Sequence, residues 1–256
     1  MKVQLQEPVR YQLQMNEGIV DMNELIGHPI HMAYSGQINC IVCGRKIKKA
    51  FGQGFCYPCF INAPENSECI IRPELCRAHE GIGRDPEWEK NNHLQPHTVY
   101  LALSSALKVG VTRDTQIPTR WIDQGAWKAL TLAETPNRYL AGCIEVALKN
   151  HLSDKTHWQK MLKNILAEDT DLMEEKEKIK QLIPEEFQQY FHSSSEITEI
   201  HYPVQAYPTK VKSINLDKTP EFEGNLMGIK GQYLIFEDER VINLRKFSGY
   251  FVELSV

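Results

Sequence analysis

The stretch VYLALSSALKVGV, residues 99–111, determines the fold expected for the centre of the chain. It predicts two short strands joined by a turn near Ser104 and Ser105, and both strands are mostly apolar, as in a buried sheet. Downstream, Pro118 lies near the first turn of a predicted helix that begins at Ile117 and runs towards Leu130. The centre is therefore expected to combine strands with helices.

Three helices are predicted beyond this point. The sequence Thr-Pro-Asn at 135–137 is a helix-start signature, and apolar residues then follow at four-residue spacing, which predicts a helix over 137–151. A second helix is expected from about 154 to 168, and a third, highly charged one over 170–191 with Pro184 as a break. The run EEKEKIK in this third helix is typical of a solvated face.

Both ends of the chain are β-rich. Alternating segments occur at 9–14 and 29–34, and again at 226–236, 241–244 and 250–254, after a serine linker at 193–195. The two ends could pack together into one small barrel or sandwich. The predicted class is α+β, with these segments: 1–39 β-rich, 40–97 zinc-binding, 98–155 central α/β domain, 156–192 helical and 193–256 β-rich.

The segment 40–97 contains six of the seven cysteines and few apolar residues for a core of its own. Cys40, Cys43, Cys56 and Cys59 follow the pattern C-x2-C-x12-C-x2-C, in which each pair can place two sulfurs on one metal. Four thiolates form a closed tetrahedral site that suits structural zinc. An iron–sulfur cluster, a redox pair or four unrelated buried thiols are the alternatives, and the regular spacing favours zinc.

A looser second set consists of Cys69, Cys76, His79, His93 and His97. Within it, Cys76-x2-His79 is a plausible ligand pair, so a second zinc is predicted at Cys69, Cys76 and His79. Otherwise these two cysteines are buried thiols and the histidines are ordinary polar residues. The seventh cysteine, Cys143, is interpreted as core packing on a predicted helix.

The most concentrated basic stretch lies between the two cysteine pairs of the first site. It consists of Arg45, Lys46, Lys48 and Lys49. These side chains could contact phosphates of nucleic acid while the metal fixes their position. Alternatively, they offset the charge of a four-thiolate site or are merely solvated.

Composition limits the classes of function. The 256 residues carry a formal net charge of −4, so no global basic field draws the protein to nucleic acid or to a membrane, and any nucleic-acid contact must use a local patch. The N-terminal sequence lacks the apolar core of a signal peptide, and no apolar run has the length of a membrane span. We expect a cytoplasmic protein.

The central residues resemble the GIY-YIG endonuclease superfamily over about 98–155. The resemblance is carried by Val99-Tyr100-Leu101, by KVGVTR at 108–113, by Arg120 and by Glu145. The phrases QPHTVYLALSS, KVGVTR, RWIDQGA, NRYLAG and GIKGQYLIF also resemble a bacterial family of uncharacterised conserved proteins, whose likeness covers most of the chain.

The superfamily resemblance implies roles for individual residues. Tyr100 matches the tyrosine of the first tripeptide and Gly110 the glycine of the second, whereas Lys108 replaces the second tyrosine. Arg120 matches the phosphate-contacting arginine, and Glu145 the ligand of a divalent metal, Mg2+ or Mn2+. The gap between the tripeptides is also shorter than in typical nucleases. The shorter gap and the replacement of a tyrosine by Lys108 affect the expected catalysis more than the expected fold.

Two further residues could serve the same chemistry. Arg113 is a second candidate cation, and His97 is a second candidate base beside Tyr100. The plain alternatives are a strand aromatic for Tyr100 and a structural ion-pair network for Arg113, Arg120 and Glu145.

Three functions remain open from the sequence. The preferred one is a zinc-stabilised, GIY-YIG-like protein that binds nucleic acid and cuts it with a divalent metal. The second is a nucleic-acid-binding module without turnover. The third is a structural or protein-interaction scaffold, with a partner docking on the charged helix.

Overall fold

The computed structural model describes residues 1–149, 151–152 and 157–256 and has the predicted mixed α+β class. The strands are β1 Lys2–Gln4, β2 Arg10–Met15, β3 Gly18–Asp21, β4 Pro29–Asn39, β5 Lys46–Ile47, β6 His97–Leu103, β7 Leu107–Arg113, β8 Lys128–Thr135, β9 Thr198–Glu199, β10 Lys212–Ser213, β11 Glu221–Lys230, β12 Tyr233–Phe236, β13 Arg240–Asn243 and β14 Tyr250–Ser255. The helices are α1 Tyr57–Asn62, α2 Pro86–His93, α3 Thr119–Asp123, α4 Arg138–Lys149, α5 Trp158–Leu162 and α6 Leu172–Lys180. Among the described residues, no helix has the length and apolar composition to cross a membrane.

The two ends of the chain share a sheet, as predicted. The long strand β4 pairs antiparallel with β11 on one side and with β14 on the other, in the order β10-β13-β12-β11-β4-β14, and β5 adds to β4. Strands β1 to β3 form a separate three-stranded sheet. The β segment predicted over 226–236 forms a hairpin of β11 and β12. Gly231 lies at its turn with a left-handed φ of 61°, a conformation that favours glycine.

The central sheet has the order β7-β6-β8-β9. The predicted hairpin is confirmed: β6 and β7 pair antiparallel, with Tyr100 opposite Gly110. The predicted length of the helix from Ile117 towards Leu130 is wrong, because the observed helix is shorter. It ends at Asp123, Gly125 turns the chain with a φ of 71°, and β8 then pairs with β6 because its apolar residues complete the sheet.

The helix predicted from the Thr-Pro-Asn signature is confirmed as α4. The Asn137 side chain accepts a hydrogen bond from the Leu140 backbone N–H at 3.0 Å, which caps the first turn. Its apolar residues pack on β6 through the cluster Val99, Leu101, Leu103, Ala141, Ile144 and Leu148. The expected end of this helix and the expected start of the next at Asp154 include residues outside the described ranges, and α5 is the helix observed after them.

The charged region is less solvated than its sequence indicates. It forms α6 followed by a 3-10 turn over Glu185–Tyr190, with the predicted break at Pro184. Lys176, in the EEKEKIK run, is 1% exposed, and its ammonium group donates to the backbone oxygens of Thr131 and Ser194. A fully solvated face is therefore wrong for this position, because the lysine reaches carbonyl oxygens that would otherwise lack partners.

The opposite face of the central sheet packs on the terminal β region. Tyr100 and Ala102 point to this side and share a buried cluster with Trp121 and Ile229. The central sheet thus lies between α4 and the terminal sheet, and Trp121, which is 5% exposed, is part of the core.

Candidate metal centres and the central sheet

The four predicted cysteines come together at the end of β4. Their sulfurs all lie within 4.8 Å of one another, and the Sγ atoms of Cys43 and Cys56 are 3.7 Å apart. Zinc–sulfur bonds of about 2.3 Å in a tetrahedron separate sulfurs by about 3.8 Å. The donor set and spacing therefore fit a metal such as zinc. We call residues 40–59 the knuckle.

Short backbone turns set the sulfur positions in the knuckle. The N–H of Gly44 donates to the carbonyl oxygen of Cys40 at 2.9 Å, and Gly44 has a left-handed φ of 72° that favours glycine. Cys56 precedes α1 and Cys59 lies in its first turn. Each pair is thus held by a local turn, as the spacing predicts.

The basic stretch divides into two kinds of residue. The Nε of Arg45 donates to the Sγ of Cys43 at 3.2 Å, and this contact raises the pKa of Arg45. Arg45 therefore offsets sulfur charge, which was one of the two sequence interpretations. Lys46, Lys48 and Lys49 are exposed.

An aromatic surface adjoins these lysines. The Nζ of Lys49 lies 5.8 Å from the centroid of the Phe51 ring, and the Phe51 and Tyr57 rings are 5.3 Å apart. Tyr57 is 59% exposed. Cations and an exposed ring are therefore neighbours on the knuckle.

A second cluster forms from Cys69, Cys76 and His93, all buried. The Nδ1 of His93 lies 3.5 Å from the Sγ of Cys76 and 3.9 Å from the Sγ of Cys69. His79, the predicted third member, instead stacks on Tyr139 with ring centroids 4.5 Å apart. The correction arises because α2, which the sequence analysis did not predict, carries His93 inward.

His97 lies apart from this cluster, at the start of β6. Its Nδ1 is 2.7 Å from the backbone oxygen of Gln95, and burial lowers its pKa to about 4. His97 is therefore a neutral buried imidazole with 0% exposure. Its proposed role as a base remains a prediction.

Tyr100 and Arg120, both implied by the superfamily resemblance, lie side by side. Tyr100 covers Gly110 so closely that a Cβ at that glycine would lie 2.6 Å from the Tyr100 hydroxyl oxygen. The hydroxyl accepts a hydrogen bond from the side chain of Gln124. Burial raises the pKa of Tyr100, and Arg120 acts to lower it. Tyr100 is 1% exposed, whereas Arg120 is partly exposed.

Glu145 lies on α4, which packs on the sheet face opposite Tyr100. Its Oε2 is buried without a hydrogen-bond donor, and the Nζ of Lys149 lies 3.5 Å from that oxygen as an ion pair. Burial raises the pKa of Glu145. A Mg2+ ion retains several waters, and a carboxylate that is 8% exposed beside a lysine does not fit a hydrated ion.

The two remaining predicted residues lie on β7. Arg113 donates from Nη1 to the side-chain oxygen of Asn92 at 2.6 Å, which ties the strand to α2. Lys108 is paired with Ala102 in the sheet and so shares the Tyr100 face. The structure therefore brings Tyr100 and Arg120 together and places Glu145 on the other side of the sheet.

A cavity of about 270 Å3 lies next to α3. Its lining residues are Leu5, Ile117, Pro118, Trp121, Thr131, His192, Ser194, Glu196 and Thr198. This cavity opens between the helical and terminal segments, beside the buried Tyr100 rather than onto it.

Comparison with known families gives one result that spans the molecule. Neither the curated proteins nor the solved structures give a match to this chain. A family model described as "Protein of unknown function (DUF2797)" matches residues 27–252, a range that includes both cysteine clusters and the central sheet. The chain therefore belongs to the DUF2797 family.

Proposed function

We propose that this protein binds nucleic acid through the knuckle, with a structural zinc ion at Cys40, Cys43, Cys56 and Cys59. The observation that carries the proposal is the placement of three exposed lysines beside an exposed tyrosine on a metal-braced turn. Lysines contact phosphates without regard to sequence, and exposed rings stack on unpaired bases. The knuckle supplies both kinds of contact.

The four basic residues differ in their contacts, and this difference supports the proposal. Arg45 is engaged with the Cys43 sulfur, so charge compensation of the thiolates has its own residue. Lys46, Lys48 and Lys49 remain on the surface. A local patch of this kind is what a chain with a net charge of −4 requires for binding a polyanion.

The arrangement of the central sheet favours binding over cleavage. Its elements follow in the order β6, β7, α3, β8 and α4, and Tyr100 lies opposite Gly110. However, Tyr100 is buried beneath the terminal β region, and the buried Glu145 forms an ion pair with Lys149 of the same helix. Binding therefore needs only surfaces that are already exposed, whereas cleavage needs groups that are buried.

The proposal is tested by fluorescence anisotropy with labelled single-stranded and duplex DNA and RNA over a series of salt concentrations. Each phosphate contact contributes about 0.7–0.9 to the slope of log K against log salt. The triple variant Lys46→Glu, Lys48→Glu, Lys49→Glu should lower that slope by about two to three and weaken binding by roughly tenfold or more.

A matched triple variant controls for net charge. Lys210, Lys212 and Lys218 are also exposed and lie in the C-terminal segment. Their replacement by glutamate should leave the affinity within about twofold of wild type, because a specific patch, not the total charge, makes the contacts. Equal losses in the two triple variants, or no binding by wild type at low salt, would overturn the proposal, the latter in favour of a scaffold.

Cleavage is measured on the same oligonucleotides with Mg2+ or Mn2+. A GIY-YIG-like nuclease would produce fragments that disappear in Glu145→Ala. Binding with intact oligonucleotides supports the proposal as stated. Fragments that depend on Glu145 would replace it with a metal-dependent endonuclease.

A further inference from the structure

The second cluster has the separations of a metal site although its ligands come from three different turns of the chain. Cys69 and Cys76 lie in or beside successive 3-10 turns, and His93 is the last residue of α2. A tetrahedral zinc ion with bonds of about 2.3 Å to sulfur and about 2.05 Å to nitrogen separates those atoms by about 3.6 Å. The observed separations of 3.5 and 3.9 Å bracket this value.

Glu89 lies near the same side of the imidazole as the two sulfurs. Its Oε2 lies 3.8 Å from the Nδ1 of His93, the ring nitrogen that both sulfurs face. The ligand atoms that lie within 4.8 Å of one another are those of Cys69, Cys76 and His93 alone, so Glu89 lies beside the cluster and not within it.

The surroundings of Glu89 are shaped for a carboxylate. A Cβ at Gly83 would lie 2.2 Å from the carboxyl carbon of Glu89, so only glycine leaves room for this group. The backbone N–H of Arg84 donates to Oε1 at 2.9 Å, and the Glu89 side chain is 3% exposed. The Glu89 carboxyl is therefore held beside the cluster without belonging to the group of mutually close ligand atoms.

We propose that Cys69, Cys76 and His93 bind a second zinc ion. Two thiolates and one neutral imidazole are ligands that zinc accepts in structural sites. The three ligands and the ion together would carry no net charge. Arg138 lies next to the site and donates from Nε to the Cys69 backbone oxygen at 2.9 Å and from Nη2 to that of Ile70 at 2.8 Å.

The site is structural because all three ligands are buried. Cys69, Cys76 and His93 are between 2% and 6% exposed, so no substrate reaches the metal. The segment that it closes consists of short helices and 3-10 turns with few apolar side chains. Gly142 of α4 packs directly on the backbone of Pro73 and Glu74 in this segment. The metal thus fixes the surface on which α4 rests.

The first test is the metal content of the reduced, full-length wild-type protein. Mass spectrometry should find two zinc ions per chain, and X-ray absorption should find an average of three sulfurs per zinc, from four at one site and two at the other. One zinc per chain, or a Cys69–Cys76 disulfide in the reduced protein, would overturn the proposal.

Two histidine variants then identify the ligand. His93→Ala should contain one zinc per chain, whereas His79→Ala, a matched change in the same segment, should retain two. If His93→Ala does not fold, His93→Cys serves in its place. That variant should retain two metals and, after cobalt substitution, show a stronger thiolate-to-cobalt charge-transfer band than wild type. An unchanged band would exclude His93.

Glu89→Gln is the control for the neighbouring acid. It should retain two zinc ions per chain and the thiolate-to-cobalt band of wild type, because Glu89 lies outside the cluster. Loss of one zinc from this variant would overturn the assignment of Cys69, Cys76 and His93 as the protein ligands. Because none of these readouts involves nucleic acid, failure here is distinguishable from failure of the proposed function.

Discussion

The two cysteine clusters have similar ligands but differ in the exposure of those ligands. In the knuckle, Cys43 is exposed and local turns hold each cysteine pair. In the second cluster, the two cysteines and His93 are buried and come from separate turns that pack against α4. The comparison teaches that ligand chemistry alone does not fix a role. A cluster with one exposed ligand can present a surface, whereas a fully buried cluster holds separate pieces of chain together.

The largest expected difference is in stability. Cys76→Ser should lower the melting temperature by roughly 10 °C, since a loss of about 3–4 kcal/mol shifts Tm by about 2–4 °C per kcal/mol in a chain of this size. Cys43→Ser should lower it by less than half as much, because its side chain packs against little else. Thermal unfolding followed by circular dichroism measures both.

Cys143→Ser is the control for this pair. It removes a thiol that lies outside both clusters and should shift Tm by only a few degrees. A larger effect for Cys43→Ser than for Cys76→Ser would reverse the assignment of the structural role.

The next largest change in stability is expected where α4 packs on the segment that contains the second cluster. Gly142→Ala places a Cβ 2.2 Å from the Glu74 backbone nitrogen, which should cost about 1–3 kcal/mol of unfolding free energy. In an exposed helix the same change would stabilise by about 1 kcal/mol. Val146→Ala, at an exposed position of α4, is the control and should change stability by about 0.5 kcal/mol or less. Stabilisation by Gly142→Ala in urea unfolding would show that the contact is not tight.

Arg138 should contribute an effect of similar size. Arg138→Ala removes two charge-assisted hydrogen bonds to the backbone oxygens of Cys69 and Ile70, at an expected loss of about 1.5–3 kcal/mol. Arg77→Ala removes an exposed arginine from the same segment and should cost about 1 kcal/mol or less. Urea unfolding of both variants compares them, and equal losses would exclude a bracing role for Arg138.

The smallest effect is expected in the knuckle. Arg45→Gln removes the hydrogen bond to the Cys43 sulfur, so a chromogenic chelator should extract metal from the knuckle several-fold faster. Melting temperature should barely change, since the side chain is exposed. Lys46→Gln, which removes a neighbouring charge, should release metal at the wild-type rate, and faster release there would indicate a general charge effect.

Local patterns in the sequence account for much of this molecule. The apolar run at 99–111 predicts the β6–β7 hairpin, and the cap at Asn137 predicts the start of α4, because each signal acts within a few residues. The spacing of four cysteines predicts the knuckle for the same reason. Strand β8 was missed, because a helix-start signal at Pro118 extends only to Asp123 and the pairing with β6 then prevails.

The second cluster shows where such patterns fail. The spacing Cys76-x2-His79 resembles a ligand pair, but His79 turns away to stack on Tyr139. The observed partner, His93, depends on α2, which begins with an Asp85 cap and Pro86. The Asp-Pro signature was the available signal.

The sequence by itself determined the fold class, the knuckle and the central hairpin, since these depend on short-range spacing and apolar periodicity. Only the tertiary structure decided which histidine joins Cys69 and Cys76, and that Tyr100 and Glu145 lie on opposite faces of one sheet. The physical reason is packing: side chains from distant segments meet only after α4 and the terminal sheet enclose the central strands from both sides.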